Sequence, residues 1–262
     1  MSVNIQAITD YVIENATELK AKMVAGETTA KHYSIQTGVK APTAINIIST
    51  DALFQDGGKG FTPSGTTTLS NRILTPGDIK VQETIDPKEI NKTYLSGIVK
   101  LGSYEDELPF AKIYTEIKLN AINKNIEKAI WNGDVDSTND QLNKFDGFLK
   151  IIDAESKVVE GNTGGVTEIN KENVVDVIDA MYAVLDTDAL EADDLKLAMG
   201  FDVARLFIQA HKDLDMRNYD KIAGKFEFVI PGTNVTAFAT SGLNGTFRML
   251  LGSAENLSLI HI

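Results

Sequence analysis

Residues 109–131 constrain this chain more than any other stretch. Phe110, Ile113, Tyr114, Ile117, Ala121, Ile126, Ala129 and Ile130 recur at three- and four-residue steps, the period of an amphipathic helix. Pro109 suits the first helical position, and Asp106 and Glu107 put negative charge at the positive helix end. Lys112 and Glu116 sit four apart and can pair weakly. Asn132-Gly133 reads as a stop through a left-handed glycine. At 1.5 Å per residue the helix is about 35 Å long. A rod of that length runs the length of the molecule, so everything else must pack along it or reach past its ends.

The segments around it are mixed. Ile5, Ile8, Val12, Ala16, Leu19 and Met23 predict an amphipathic helix over 5–25, with Gly26 as its stop. Ala44–Leu53 is apolar and β-branched and predicts a strand. Residues 54–65 form a turn-rich loop with two aromatics, Phe54 and Phe61. Strands are expected at Thr66–Leu74 and Ile79–Ile85, around the turn signal Thr75-Pro76-Gly77-Asp78. Lys157–Val159 and Val166–Ile169 flank Asn162-Thr163-Gly164-Gly165 and suggest a hairpin. Asn170 can cap a helix over 171–185, and 201–214 reads as another helix. Leu195–Met199 reads as a short buried strand. Lys225–Ile230, Val235–Thr240 and Thr246–Leu251 are strand-like, with Asn244-Gly245 as a hairpin signal between the last two. Helices and strands alternate without a regular βαβ rhythm, so the class is α+β.

Composition narrows the chemistry. The 262 residues make one large domain or two small ones. There is no cysteine, which excludes disulfides, thiolate metal sites and thiol catalysis. A net charge of −12 argues against gripping DNA phosphates and against docking on an anionic membrane. No apolar run approaches the roughly 20 residues of a membrane span. The start, Met1-Ser2-Val3-Asn4, has neither a basic n-region nor an apolar core, so no signal peptide is expected.

No catalytic, cofactor or metal residue can be named. His32, His211 and His261 lack partners at a zinc spacing. Asp134-Val135-Asp136-Ser137-Thr138-Asn139-Asp140 resembles the start of a calcium loop. Asn139 and Phe145, however, stand where that template needs Gly and Glu. Gly57-Gly58-Lys59-Gly60 fails the phosphate-loop test, because no Gly-Lys-Ser/Thr follows and no helix opens there. A G-x-S-x-G elbow is absent. A long helix, an aromatic-bearing loop and an amphipathic N-terminal helix, with no catalytic cluster, suggest an assembly subunit that is not an enzyme.

The order of these elements resembles a tailed-phage (Caudoviricetes) major capsid protein of the Hong Kong 97-type fold, and most of all those of crAss-like phages of gut bacteria. The resemblance covers most of 40–256. It rests on Glu127-Lys128-Ala129-Ile130-Trp131-Asn132-Gly133-Asp134 followed by Phe145-Asp146-Gly147-Phe148. It rests also on Leu74–Glu83, on Phe228–Val235, and on Gly242-Leu243-Asn244-Gly245-Thr246. It implies an N-terminal arm with an amphipathic helix over 1–44 and a peripheral domain over 45–145. That domain would include an extended loop near 52–68 and the spine helix at 109–131. An axial domain would occupy 146–252. The implied role is structural: hexamers and pentamers closing an icosahedral shell in the virion, assembled in the bacterial host cytoplasm. Implied partners are further copies of the chain, with portal and scaffolding proteins. The shell encloses double-stranded DNA without reading its sequence and involves no membrane and no cofactor. Phe54, Lys59, Phe61 and Pro63 are the expected subunit-interface residues.

The last six residues, 257–262, do not continue the resemblance. They match the in-frame translation of a transposase-adapter end (CTG TCT CTT ATA CAC ATC), so a non-native tail is expected there, and with it a C-terminal truncation that leaves out the family's last strands. Two other readings stand beside the capsid: an encapsulin-like nanocompartment shell, and an acidic α+β hydrolase acting through paired carboxylates.

Overall fold

A computed structural model describes residues 5–25, 28–37, 39, 41–51, 54, 57–58, 60, 63–84, 107–155, 158–161, 164–214, 226–254 and 258–261. The fold is mixed α+β. Elements are numbered here in chain order. Two N-terminal helices, α1 (Ile5–Glu14) and α2 (Ala16–Ala25), precede β1 (Ser34–Thr37), β2 (Thr43–Thr50) and β3 (Thr67–Leu74). Then come α3 (Glu107–Asn132), α4 (Phe148–Ala154), α5 (Val174–Ala183) and α6 (Thr187–Leu190). The last part holds β4 (Leu195–Gly200), α7 (Phe201–Leu214), β5 (Glu227–Val229), β6 (Thr236–Thr240), β7 (Leu250–Ser253) and β8 (Ser258–His261).

The long helix is present and slightly longer than its periodicity suggested, 26 residues or about 39 Å. Pro109 lies in its first turn, where its missing N–H costs no hydrogen bond. Its buried face differs from the expected stripe. Thr115, Leu119, Glu127, Ala129, Ile130 and Trp131 are buried, whereas Ile113, Ile117 and Ala121 are exposed. The helix stops at Gly133, but not by a left-handed turn: the positive-φ glycines among the described residues are Gly60, Gly165, Gly232 and Gly245. Gly133 is required by close approach instead. A Cβ there would lie 2.4 Å from the Phe145 carbonyl oxygen and 2.6 Å from that of Ala129. The backbone of 145–147 folds directly onto the helix end, with Gly147 N–H donating to the Gly133 oxygen at 2.8 Å.

The core is a four-stranded sheet in the order β5-β6-β4-β7. β4 and β6 run parallel, and the other two pairs are antiparallel. The strand alternation sorts its two faces. Leu195, Leu197, Met199, Ala237 and Ala239 meet Val174 and Ile178 of α5 and Val203, Ala204 and Phe207 of α7. Ala198 and Phe238 point the other way, onto Ile130 and Trp131 of α3, Phe148 of α4 and Tyr33. The sheet is thus covered on both faces, which explains why Leu197, Ala198 and Met199 are apolar in succession, with Lys196 the one charged residue of β4.

Several local signals led to a different tertiary outcome. Asn244-Gly245 does turn, with Gly245 at φ +76°, but β6 and β7 are not neighbours because β4 lies between them. Residues 79–84 form no strand and run along α3, where Tyr114 donates to Glu83 at 2.8 Å; Ile85 lies outside the described residues. Val158–Val159 and Val166–Ile169 form no strands, and Val158 and Val159 are exposed; Lys157, Asn162 and Thr163 of the expected hairpin lie outside the described residues. Asn170 caps the turn ahead of α5 and not the helix itself: its Oδ1 accepts from the amides of Glu172 and Asn173. The helix expected over 5–25 breaks at Asn15, whose side-chain amide donates to the Tyr11 oxygen at 2.9 Å. Both halves pack on α3 of the same chain, burying Ile8 and Leu19. Residues 258–261, inside the stretch expected to be non-native, form β8 parallel to β1.

Replacing Gly133 with Ala should cost about 3 kcal/mol of stability, because backbone atoms and not a mobile side chain occupy the Cβ position. Urea unfolding of the two proteins checks it.

Candidate assembly surface

Three side-chain systems organise the molecule, and none has the layout of a catalytic centre. The first is buried. Glu127 faces inward from α3 and is 3 % exposed. Its carboxylate accepts from the Thr29 amide at 3.1 Å and from the hydroxyls of Thr29 and Thr240. Each hydroxyl is used twice. Thr29 Oγ1 accepts from Trp131 Nε1 at 2.7 Å, and Thr240 Oγ1 accepts from the Gly242 amide at 3.2 Å. A directed chain therefore runs from Trp131 through Thr29 to Glu127, and from Gly242 through Thr240 to the same oxygen. It joins the N-terminal segment, the long helix and the sheet. Tyr33 adds edge-on ring contacts to Trp131, Phe148 and Phe238 beside it. Burial pushes the Tyr33 phenol well above its usual range.

The second system answers the calcium question. The Lys150 ammonium sits 2.6 Å from Asp134, 2.9 Å from Asp136 and 2.9 Å from Asp146. The carboxylates of the calcium-like loop already hold a cation, supplied by α4. These contacts hold the Asp134 and Asp146 carboxyls below the usual range and raise the Lys150 ammonium above its own. Among the described residues, no group of three or more His, Asp or Glu could hold a metal ion.

The third system is the β2–β3 ribbon. Eight residue pairs are in antiparallel register, from Thr43–Leu74 at the base to Thr50–Thr67 at the tip. Alternate pairs share a face. Ala44, Ile73, Asn46, Asn71, Ile48, Leu69, Thr50 and Thr67 make one face without a single charge. On it Ile48, Leu69 and Ile73 are 66, 74 and 68 % exposed. Beyond the tip, Phe54 is fully exposed and Pro63 is exposed. Lys59 and Phe61, the other two expected interface residues, lie outside the described residues. A two-stranded ribbon is marginal in water by itself, and one with an apolar uncharged face invites a cover.

His32 and His211 lie apart, each against a different phenylalanine. His32 is half-buried and stacks on Phe238 at 4.0 Å between ring centres, and burial lowers its pKa. His211 stacks on Phe207 at 5.8 Å. His261 lies in β8. The sequence does not single out Lys150, although the four-residue step from Asp146 was a signal for it. Glu127 enters there only as the first residue of the motif that carries the resemblance, with nothing local to mark it as buried.

Thr29→Val should destabilise the fold by about 2–4 kcal/mol, since it removes a donor to a buried carboxylate and the acceptor of a buried indole N–H. Paired with Thr240→Val in a double-mutant cycle followed by denaturant unfolding, the two should couple by about 1 kcal/mol or more. For the cage, a carboxylate with a lowered folded pKa adds stability above its unfolded value, near pH 4, and loses it as pH falls through the folded value. Lys150→Met should therefore lower the thermal midpoint at about pH 7, and the difference should vanish near about pH 2. No protein-family model, no curated protein and no solved structure matches this chain.

Proposed function

We propose that this chain is the major capsid protein of a tailed phage, with a Hong Kong 97-type fold, whose copies assemble into an icosahedral shell around double-stranded DNA. One observation carries the reading: a ribbon of eight residue pairs stands on a well-packed body and exposes an uncharged face on which Ile48, Leu69 and Ile73 are open to solvent. Such a face is wasteful on a monomer and useful on a subunit that is tiled many times. The long helix and the two-sided sheet agree with the spine helix and axial domain of that fold. The exposed Ile113 and Ile117 of α3 offer further apolar surface to a neighbour. A formal charge of −12 suits a container, because an anionic wall does not hold its cargo. Among the described residues no helix is long and apolar enough to cross a membrane.

Expression of the chain followed by sizing and electron microscopy tests the reading. Shells, rings or tubes are the expected products, and a strict monomer over a wide concentration range, from the gene expressed with its native 3′ end, would refute it. Ile48→Lys with Leu69→Glu should abolish assembly while leaving the unfolding free energy within about 1 kcal/mol of the parent, since both side chains are exposed in the subunit and the two new charges, directly opposite in the ladder, attract. Phe54→Ala should weaken assembly in the same direction and more mildly.

A further inference from the structure

Among the described residues, the ribbon is joined to the body at the Thr43–Leu74 end of its ladder. Pro42 precedes β2, and Thr75-Pro76-Gly77 follows β3. Gly77 packs so closely on the 144–145 backbone that a Cβ would lie 2.3 Å from the Lys144 oxygen. That contact fixes where the ribbon starts but not where it points. Every described side chain of the two strands is exposed except Ile45, which is half-buried. Arg72 lies directly across from Ile45, on the face opposite the apolar one. Its guanidinium pairs with Glu155, the residue that caps α4.

α4 is itself held from two other directions. Lys150 binds Asp134, Asp136 and Asp146 of the loop that follows α3. Asp153 takes both terminal nitrogens of Arg248, one of them at 2.8 Å, in the segment leading to β7. Residues 150–155 thus carry ion pairs to three separate parts of the chain. The footing beneath Glu155 is braced on the side of the long helix and on the side of the sheet.

We propose that the Arg72–Glu155 pair is a strut that sets the angle at which the β2–β3 ribbon leaves the body. An exposed ion pair shifts an equilibrium by about fivefold at most. That is little for the stability of the whole fold. It is enough to orient an element anchored at one end whose described side chains, Ile45 apart, face water. The consequence for assembly rests on the capsid reading: a ribbon held at one angle presents Ile48, Leu69 and Ile73 to a neighbour in one direction. The strut itself does not depend on that reading.

The absence of cysteine makes the test clean. Gly57→Cys and Asp179→Cys place one spin label beyond the ribbon tip and one on α5, on the full-length chain purified in its unassembled form. Pulsed distance measurement should give one narrow distribution in the parent. Arg72→Glu alone and Glu155→Arg alone should each broaden it, shifting the ratio of parent-like to displaced populations by about fivefold. The double reversal Arg72→Glu with Glu155→Arg should restore the narrow distribution. Should either reversal unfold the chain, Arg72→Gln and Glu155→Gln replace them. Narrow distributions in both single variants, or a double variant as broad as the singles, would overturn the strut. So would a broad distribution in the parent. A parent that never assembles but passes the distance test would sink the capsid reading and leave the strut standing.

Discussion

Glu127 is a buried carboxylate whose donors are two hydroxyls and an amide. Taking a carboxylate out of water is expensive, and the cost is offset only when its lone pairs are filled with good geometry. Here the filling groups come from three distant parts of the chain. Thr29 lies 98 residues before Glu127 and Thr240 lies 113 residues after it. Trp131 and Gly242 then satisfy the remaining sides of the two hydroxyls. The fit is tight, since a Cβ on Gly242 would fall 2.2 Å from the indole ring of Trp131. The positions of the N-terminal segment, the long helix and the sheet therefore follow from one acceptor. A hydrophobic contact would tolerate sliding; this network does not, because a shift of any one member breaks the directed bonds it makes to the others.

The outer part of the molecule is built differently. Around α4 the contacts are ionic and partly exposed, and each alone is worth little. Their effect comes from arrangement. Lys150 gathers three aspartates, Asp153 faces Arg248 and Glu155 faces Arg72, so one short helix is tied on several sides. A rigid interior and an ionic rim are compatible demands. The interior fixes the fold, and the rim sets the direction of a ribbon that has almost no interior of its own.

How much of this was legible in the sequence follows from the range of the forces involved. The long helix, the helix at Phe201–Leu214 and the buried strand at Leu195–Gly200 could be read because periodicity and apolar runs are local. The ribbon strands were readable from β-branched composition. The face that α3 buries was not, because Ile113 and Ile117 carry the same local signal as a core residue and lack only a neighbour. The turn at Asn244-Gly245 was correct as chemistry, yet the strands beside it are separated by β4, and pairing is a tertiary choice. Glu127 gave no local sign of burial: a glutamate amid Lys124, Asn125 and Lys128 looks like a solvated face. Of the interface residues named from sequence, Phe54 and Pro63 lie on exposed surface.

The spacing of the Glu127 network also orders events on the ribosome. Thr29 and Glu127 are both available once the long helix has emerged, but Thr240 is made roughly a hundred residues later, about 5–20 s at typical synthesis rates. Until then Glu127 has only its Thr29 donors, so the buried network cannot close before the strand that carries Thr240 has been made.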